Sequence, residues 1–167
     1  NNRQILGMSG KYCAMVELDT IDCRILTALQ KSGRMSNAEL SEKVNLSPSA
    51  CHRRVQRLEA EGVIAKYVAL LDPRKLDRMA MVFVEITLSG QTVDLLDAFE
   101  REVALIPALL ECHLMAGTAD YLLKISARDT EDFARIHRRY LARLPGVAQM
   151  QSSFSLREVC NTTALPV

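Results

Sequence analysis

From Leu18 onward, apolar residues recur at helical spacing. Leu18, Ile21, Ile25 and Leu29 fall on one stripe of a segment that Asp19 is placed to cap and Gly33 to stop. A second helix is predicted from the S-x-x-E box of Ser36 and Glu39, with Ala38, Leu40 and Val44 as its apolar side. Asn45-Leu46 makes a short turn, Ser47 caps, Pro48 takes the first helical position, and a third helix runs to about Glu61 and stops at Gly62. The spacing then changes. VIAKYVALLDP reads as a short strand and DPRKLD as a polar linker. Beyond them come MAMVFVEITL (strand), Val93 to Ile106 (helix, stopped by Pro107) and LLECHLMA (strand). DYLLKISA (strand), Thr130 to Leu144 (helix, stopped by Pro145-Gly146) and VAQMQSSFSLREV (strand) complete the chain.

Three short helices with a tight turn between the last two make a helix-turn-helix module. The order β-α-β-β-α-β after it is that of a ferredoxin-like sandwich, with both helices on one sheet face. The fold class is therefore α+β. The expected division is a leader over 1–17 with poor order, a helix-turn-helix domain over 18–63, a linking strand and hinge over 64–78, and the ferredoxin-like domain over 79–167.

The 167 residues suffice for two small domains, and 49% apolar content excludes a chain disordered by composition. The longest apolar run, Met79 to Val84, is strand-sized, so no membrane-spanning helix is expected. Five cysteines without framework spacing suit reduced thiols and a cytoplasmic setting. The net charge of +1 says little, but residues 1–66 carry ten Lys/Arg against seven Asp/Glu, whereas 67–167 carry eleven against thirteen. Ser47 to Leu58 holds three arginines and no acid. Such a local basic face suits phosphate, and equally a solvated helix surface.

Two Cys-His neighbours, Cys51-His52 and Cys112-His113, raise the question of a metal or thiol site. Adjacent residues diverge by about 100° on a helix and point to opposite faces of a strand, so neither pair converges on one ion. No C-x-x-C or H-x-x-x-H spacing supplies further ligands, and neither a metal nor another cofactor is expected. Cys51, Val55, Leu58 and Gly62 share one face of the third helix, which makes Cys51 a packing residue. The opposite face carries Ser49, Arg53, Gln56 and Ala60, flanked by His52 and Arg57. Its hydroxyl, guanidinium, amide and imidazole groups are donors that reach phosphates and base edges. The candidate DNA-binding residues are Ser47, Ser49, His52, Arg53, Arg54, Gln56 and Arg57, with Arg53 as base reader and Arg54 and Arg57 as phosphate contacts.

The segments LDTIDCRILTALQKSGR, LSPSACHRRVQRLEAEGVI and GTADYLLK, with LPGV before the last strand, resemble those of the Lrp/AsnC (feast/famine) family of transcription regulators. The resemblance covers Leu18 to the C-terminus and is strongest to the leucine-responsive branch, through VFVEITL and ECHLMAGTADYLLK. It implies an N-terminal winged-type helix-turn-helix, a strand that links and pairs subunits, and a ferredoxin-like sensor domain. It further implies homodimers that assemble into octamers or larger rings, with double-stranded DNA and a free amino acid as partners. The effector element is then MAGTADY, faced by QSSFSL, with Met115, Gly117, Thr118, Asp120, Tyr121 and Ser153 as candidate effector-binding residues. Gly117 would allow a tight turn whose N–H groups hold a carboxylate, and Asp120 would accept the α-ammonium. A simple β-turn, in which Gly and Asp serve only the chain reversal, explains the same residues. Ser153 and Ser155, where several leucine-responsive members carry bulky residues, leave the identity of the amino acid open.

The expected function is a DNA-binding transcription regulator that responds to a free amino acid. The alternative is an oligomeric small-molecule-binding protein whose helix-turn-helix serves protein contacts. No acid–base pair, nucleophile elbow or phosphate loop marks an enzyme. An RNA reader on this topology would need stacked aromatics, and the aromatic fraction is 5%.

Overall fold

The computed structural model describes residues 16–167; most of the leader expected over 1–17 lies outside them. The described chain divides into two compact units, one reaching Leu70 and including Cys160–Val167, the other Leu71–Val159.

In the first unit, α1 (Thr20–Lys31), α2 (Asn37–Val44) and α3 (Pro48–Ala60) begin at the three predicted caps. Asp19 accepts from the Ile21 and Asp22 N–H groups, and Ser36 and Glu39 complete a reciprocal box. Ser47 accepts from the Ala50 N–H, with Pro48 at the position where a missing N–H costs nothing. Asn45 closes α2 at φ 57°, and Gly62 follows α3 at φ 74°. Gly33 has no left-handed φ; α1 ends two residues earlier, at Lys31, with Ser32 as its cap. Ile25, Leu26, Ala28, Leu40, Val44, Cys51 and Leu58 form the buried core, with Val63 and Ile64 packed on it.

The strand predicted over VIAKYVALLDP is not formed among the described residues. Residues 65–72 are exposed and hold no ladder, and Pro73–Leu76 is a 3-10 turn. A strand needs a partner for its N–H and C=O groups, and no described residue of the same copy pairs with it there. Cys160–Val167, expected in the sensor domain, groups instead with the helical unit. Leu165 explains this: its N–H donates to Gln30 Oε1 at 2.6 Å, and its carbonyl accepts from Gln30 Nε2 at 3.0 Å.

The second unit runs β1 (Ala80–Leu88), α4 (Val93–Val103), β2 (Leu109–Leu114), β3 (Tyr121–Ala127), α5 (Thr130–Arg139) and β4 (Val147–Phe154). The strand order β2-β3-β1-β4, all antiparallel, is the ferredoxin-like arrangement. Val82, Val84, Ile86 and Leu88 alternate into the core with Tyr121, Leu123, Ile125 and Ala127 of β3. Phe99, Val103, Phe133 and Ile136 close it from α4 and α5. The other sheet face stays open and carries Phe83 and Glu85 of β1.

β2 ends at Leu114, two residues before the end of LLECHLMA, and three further boundaries differ by three residues or more. α4 stops at Val103 rather than Ile106, because Pro107 disfavours helical backbone before it. α5 ends at Arg139; Tyr140 leaves helical geometry at φ −122°, and Leu141–Arg143 resumes as a 3-10 turn. β4 ends at Phe154 rather than Val159, since its partner β1 runs out: Ser155 N–H to Met81 O is the last rung.

Gly146 holds φ 71° in the turn before β4, and a Cβ there would collide with the Leu95 side chain. Gly146→Ala combines a left-handed strain with overpacking, so it should lower stability by about 1–3 kcal/mol in denaturant melts.

Candidate functional site

The exposed face of α3 is built from Ser49, His52, Arg53 and Gln56. The chain places it there because Cys51 and Leu58 are fully buried on the opposite side. Asn37 of α2 adds a fixed angle, donating its side-chain amide to the Pro48 carbonyl at 2.8 Å. Ser47 is spent partly on its cap, and its Oγ lies 3.3 Å from Ser49 Oγ. Among the described residues Arg53 and His52 have no acidic partner, which leaves their donors available.

Arg54 and Arg57 do not match the role expected of them. Asp22 of α1 is 1% exposed, and both arginines reach back to it. Arg54 Nη1 donates to Asp22 Oδ1 at 2.8 Å and to Asp19 Oδ2 at 2.7 Å, while Arg57 holds Asp22 Oδ2 and lies 3.7 Å from Glu61. A buried carboxylate without counter-charge is very costly, so these guanidiniums are committed to the fold before any phosphate arrives. The Asp22 N–H and then Arg54 hold the Asp19 carboxyl down at about 2. No periodicity reveals this clamp, because its partners are more than 30 residues apart.

On the second unit, the open sheet face meets the β2–β3 loop in a hollow of about 140 Å³ lined by Glu85, Thr87, Thr118, Ala119, Gln149 and Gln151. Strand register puts Glu85 opposite Gln151 and Thr87 opposite Gln149. Of the effector candidates, only Thr118 lines this hollow. Ser153 lies on the same face one register step beyond Gln151, opposite Phe83. Met115 is exposed, and its N–H donates to the Asp120 carbonyl at 2.8 Å. Gly117 has no left-handed φ and open space where a Cβ would stand, so its turn does not require glycine.

Asp120 and Tyr121 serve the core instead. Asp120 is 9% exposed; its Oδ2 accepts from the Leu88 N–H and its Oδ1 from Gln91 Nε2, both at 2.7 Å. Both oxygens tie the end of β1 to the start of β3, and the ammonium-partner role expected of Asp120 does not fit this position. Tyr121 is buried against Phe99, and its hydroxyl donates to Glu100 at 2.8 Å. Burial first, then that carboxylate, pushes its pKa up. Sequence reasoning missed Glu85, Gln149 and Gln151. Their signal was the polar half of the alternation in VFVEITL and VAQMQSSF, which points to the face away from the helices.

Cys51 and Cys112 are packing groups. Burial raises the Cys51 thiol, and burial followed by Glu100 pushes Cys112 up to about 11. His113 is exposed beside Glu111 at 3.2 Å, and no cluster of three metal-ligating side chains exists among the described residues. No helix among them is long and apolar enough to cross a membrane.

A reading helix with free polar groups, joined to an α/β unit with a polar hollow, defines a ligand-responsive DNA-binding regulator. Comparison with known proteins gives the family. Residues 18–65 match the winged helix-turn-helix DNA-binding model, and residues 81–165 the Lrp/AsnC ligand binding domain. The chain is 42% identical over 160 residues to the leucine-responsive regulatory protein of Serratia marcescens, covering 96% of this chain and 98% of that one. It is 43% identical over 151 residues to that of Escherichia coli K12, covering 90% and 92%. A transcriptional regulator from Neisseria meningitidis, solved as its L-Met complex, superposes with TM-score 0.86 at 38% identity, covering 90% of this chain and 97% of that one. An AsnC family regulator from Agrobacterium tumefaciens does so at 0.86 and 34%, covering 89% and 97%. The chain belongs to the Lrp/AsnC family of transcription regulators, and its relatives are regulators rather than enzymes.

Asp22→Asn keeps the shape but leaves Arg54 and Arg57 without their charge partner. A fully buried pair broken this way costs about 3–5 kcal/mol, and the exposure of both arginines lowers this to about 2–4. Chemical denaturation should show this loss in the helical unit, and DNA affinity should fall with it.

Proposed function

We propose that this regulator binds duplex DNA through the exposed face of α3, and a free amino acid at the hollow on the open sheet face. The observation that carries the DNA half is Arg53, exposed at the middle of α3 with no acid beside it among the described residues. Its fork is the one guanidinium on that face able to take guanine O6 and N7 together. Ser49, His52 and Gln56 supply shorter-range donors around it. Arg54 and Arg57 set the angle of the helix, and their expected role as phosphate contacts is reduced to what their outward nitrogens can reach.

The hollow offers what an α-amino acid needs. Glu85 is its one carboxylate and would face the ammonium; the amides of Gln149 and Gln151 and the hydroxyls of Thr87 and Thr118 would face the carboxylate. The L-Met complex of the Neisseria regulator supports an amino acid as the class of effector. The polar lining argues against assuming leucine. Ser153 borders this site on the same sheet face, while Met115 and Gly117 do not line it.

Such a regulator works in the cytoplasm as a homodimer assembling to an octamer or larger. Support comes from the segment over 65–72, exposed with Tyr67, Val68, Leu70 and Leu71, which has no strand partner among the described residues of one copy. Leu110, Leu114, Met115 and Phe83 are also exposed on the second unit.

Arg53→Ala should weaken binding to a duplex selected from a randomised pool by about 1–3 kcal/mol and relax the selected sequence at one position. Unchanged affinity and preference in a folded variant would remove Arg53 from the reading face.

A thermal-shift screen of free amino acids should identify the effector, since a ligand of the native state raises stability by mass action. Glu85→Gln should then weaken that amino acid roughly ten- to hundredfold by calorimetry, the effect of losing a charge-assisted hydrogen bond worth about 1.5–3 kcal/mol. Parental affinity in this variant would place the site elsewhere.

A further inference from the structure

The second unit segregates its charge by helix. α4 carries Asp94, Asp97, Glu100 and Glu102 against one base, Arg101. From Phe133 to Arg157 there is no Asp or Glu at all, yet Arg135, Arg138, Arg139, Arg143 and Arg157 fall in that stretch. Arg135 is committed, donating to Glu131 at 3.3 Å and to Asp132 at 3.1 Å. Arg138, Arg139 and Arg143 are exposed, and none has an acidic partner among the described residues.

Their placement is held from beneath. Phe133, Ile136, Leu141 and Leu144 are buried, which fastens both α5 and the 3-10 turn after it to the core. Arg143 therefore follows Arg139 by about one turn, and the Arg139 guanidinium lies 5.4 Å from the Tyr140 ring centroid. Basic residues are ordinary in the last turn of a helix, where the carbonyl ends attract them by a few tenths of a kcal/mol. That accounts for Arg138 and Arg139. It does not account for Arg143, which lies past the helix end, nor for an acid-free stretch that continues into β4.

Like charges a turn apart repel unless an anion offsets them. We propose that Arg138, Arg139 and Arg143 form a second phosphate-contact surface, which takes the backbone of duplex DNA held by the helix-turn-helix units. This rests on DNA binding by α3. One observation favours DNA over the acidic α4 of another copy. The segment that carries the ridge has no apolar centre: no large hydrophobic side chain from Phe133 to Met150 is exposed, and the nearest one that is, Phe154 on β4, packs edge-on against Phe133, whereas protein interfaces are built around such a centre. Arginine forks match phosphate oxygens two at a time, without regard to base sequence.

The test uses the full-length protein, a long mixed-sequence duplex and binding measured across a salt series. A triple variant carrying Arg138→Gln, Arg139→Gln and Arg143→Gln should reduce the slope of log affinity against log salt by about 2–3, each lost phosphate contact contributing about 0.9. The matching triple arginine-to-lysine variant should keep most of the parental slope. A glutamine variant with parental circular dichroism, mass and salt slope overturns the proposal. So does a glutamine variant whose mass falls in light scattering, which makes the ridge a contact between copies. If the parent itself shows no salt-dependent DNA binding, the α3 reading fails and this surface fails with it.

Discussion

Asp22 is the constraint on which the DNA-binding unit depends. A carboxylate sunk between α1 and α3 has to be neutralised, and the chain does this with two arginines that a linear reading would leave pointing at solvent. The consequence is geometric as much as energetic. Arg54 and Arg57, about one turn apart along α3, fix its rotation against α1, and that rotation turns Ser49, His52, Arg53 and Gln56 outward. The same carboxylate closes the first turn of α1 by accepting from the Asp19 N–H, so one side chain caps a helix and orients another. Of the three arginines between Ser47 and Leu58, two are tied to Asp22, and Arg53 alone is without an acidic partner among the described residues.

The second unit repeats the device with different chemistry. Asp120 is buried where the β2–β3 loop enters β3, and its two oxygens gather the end of β1 and the side chain of Gln91. This leaves Thr118 and Ala119 at the edge of the open face, beside Glu85 and the two glutamines of β4. Asp120 thus shapes the loop that borders the hollow. The carboxylate in the hollow, Glu85, stands at the centre of the sheet, on a strand held on both sides by ladders, which is a more rigid position than a loop.

Much of the fold was legible along the chain because it is written in local chemistry. The caps at Asp19, Ser36 and Ser47, Pro48 and the stop at Gly62 act within a few residues of where they stand. The alternation in VFVEITL and DYLLKISA likewise sets the β-α-β-β-α-β order. What was not legible depends on partners distant in sequence or outside the chain. Arg54 and Asp22 meet across 32 residues, and Asp120 and Leu88 also across 32. The segment over 63–73 has the composition of a strand, but a ladder requires a second strand. Glu85 was overlooked because a polar residue on a half-exposed strand looks like ordinary alternation until register places it opposite Gln151.

A regulator that binds DNA on one unit and responds to an amino acid on the other obeys linkage in a strict form. If an amino acid changes DNA affinity by some factor, DNA must change amino-acid affinity by the same factor. The decisive measurement is therefore a pair of titrations on the full-length protein. One follows a selected duplex with and without saturating amino acid; the other follows that amino acid with and without saturating duplex. Equal and non-unit factors, typically about 5–150-fold, are the expected result. A DNA affinity that stays the same when the sensor unit is saturated with every amino acid that binds it would contradict coupling between the two units.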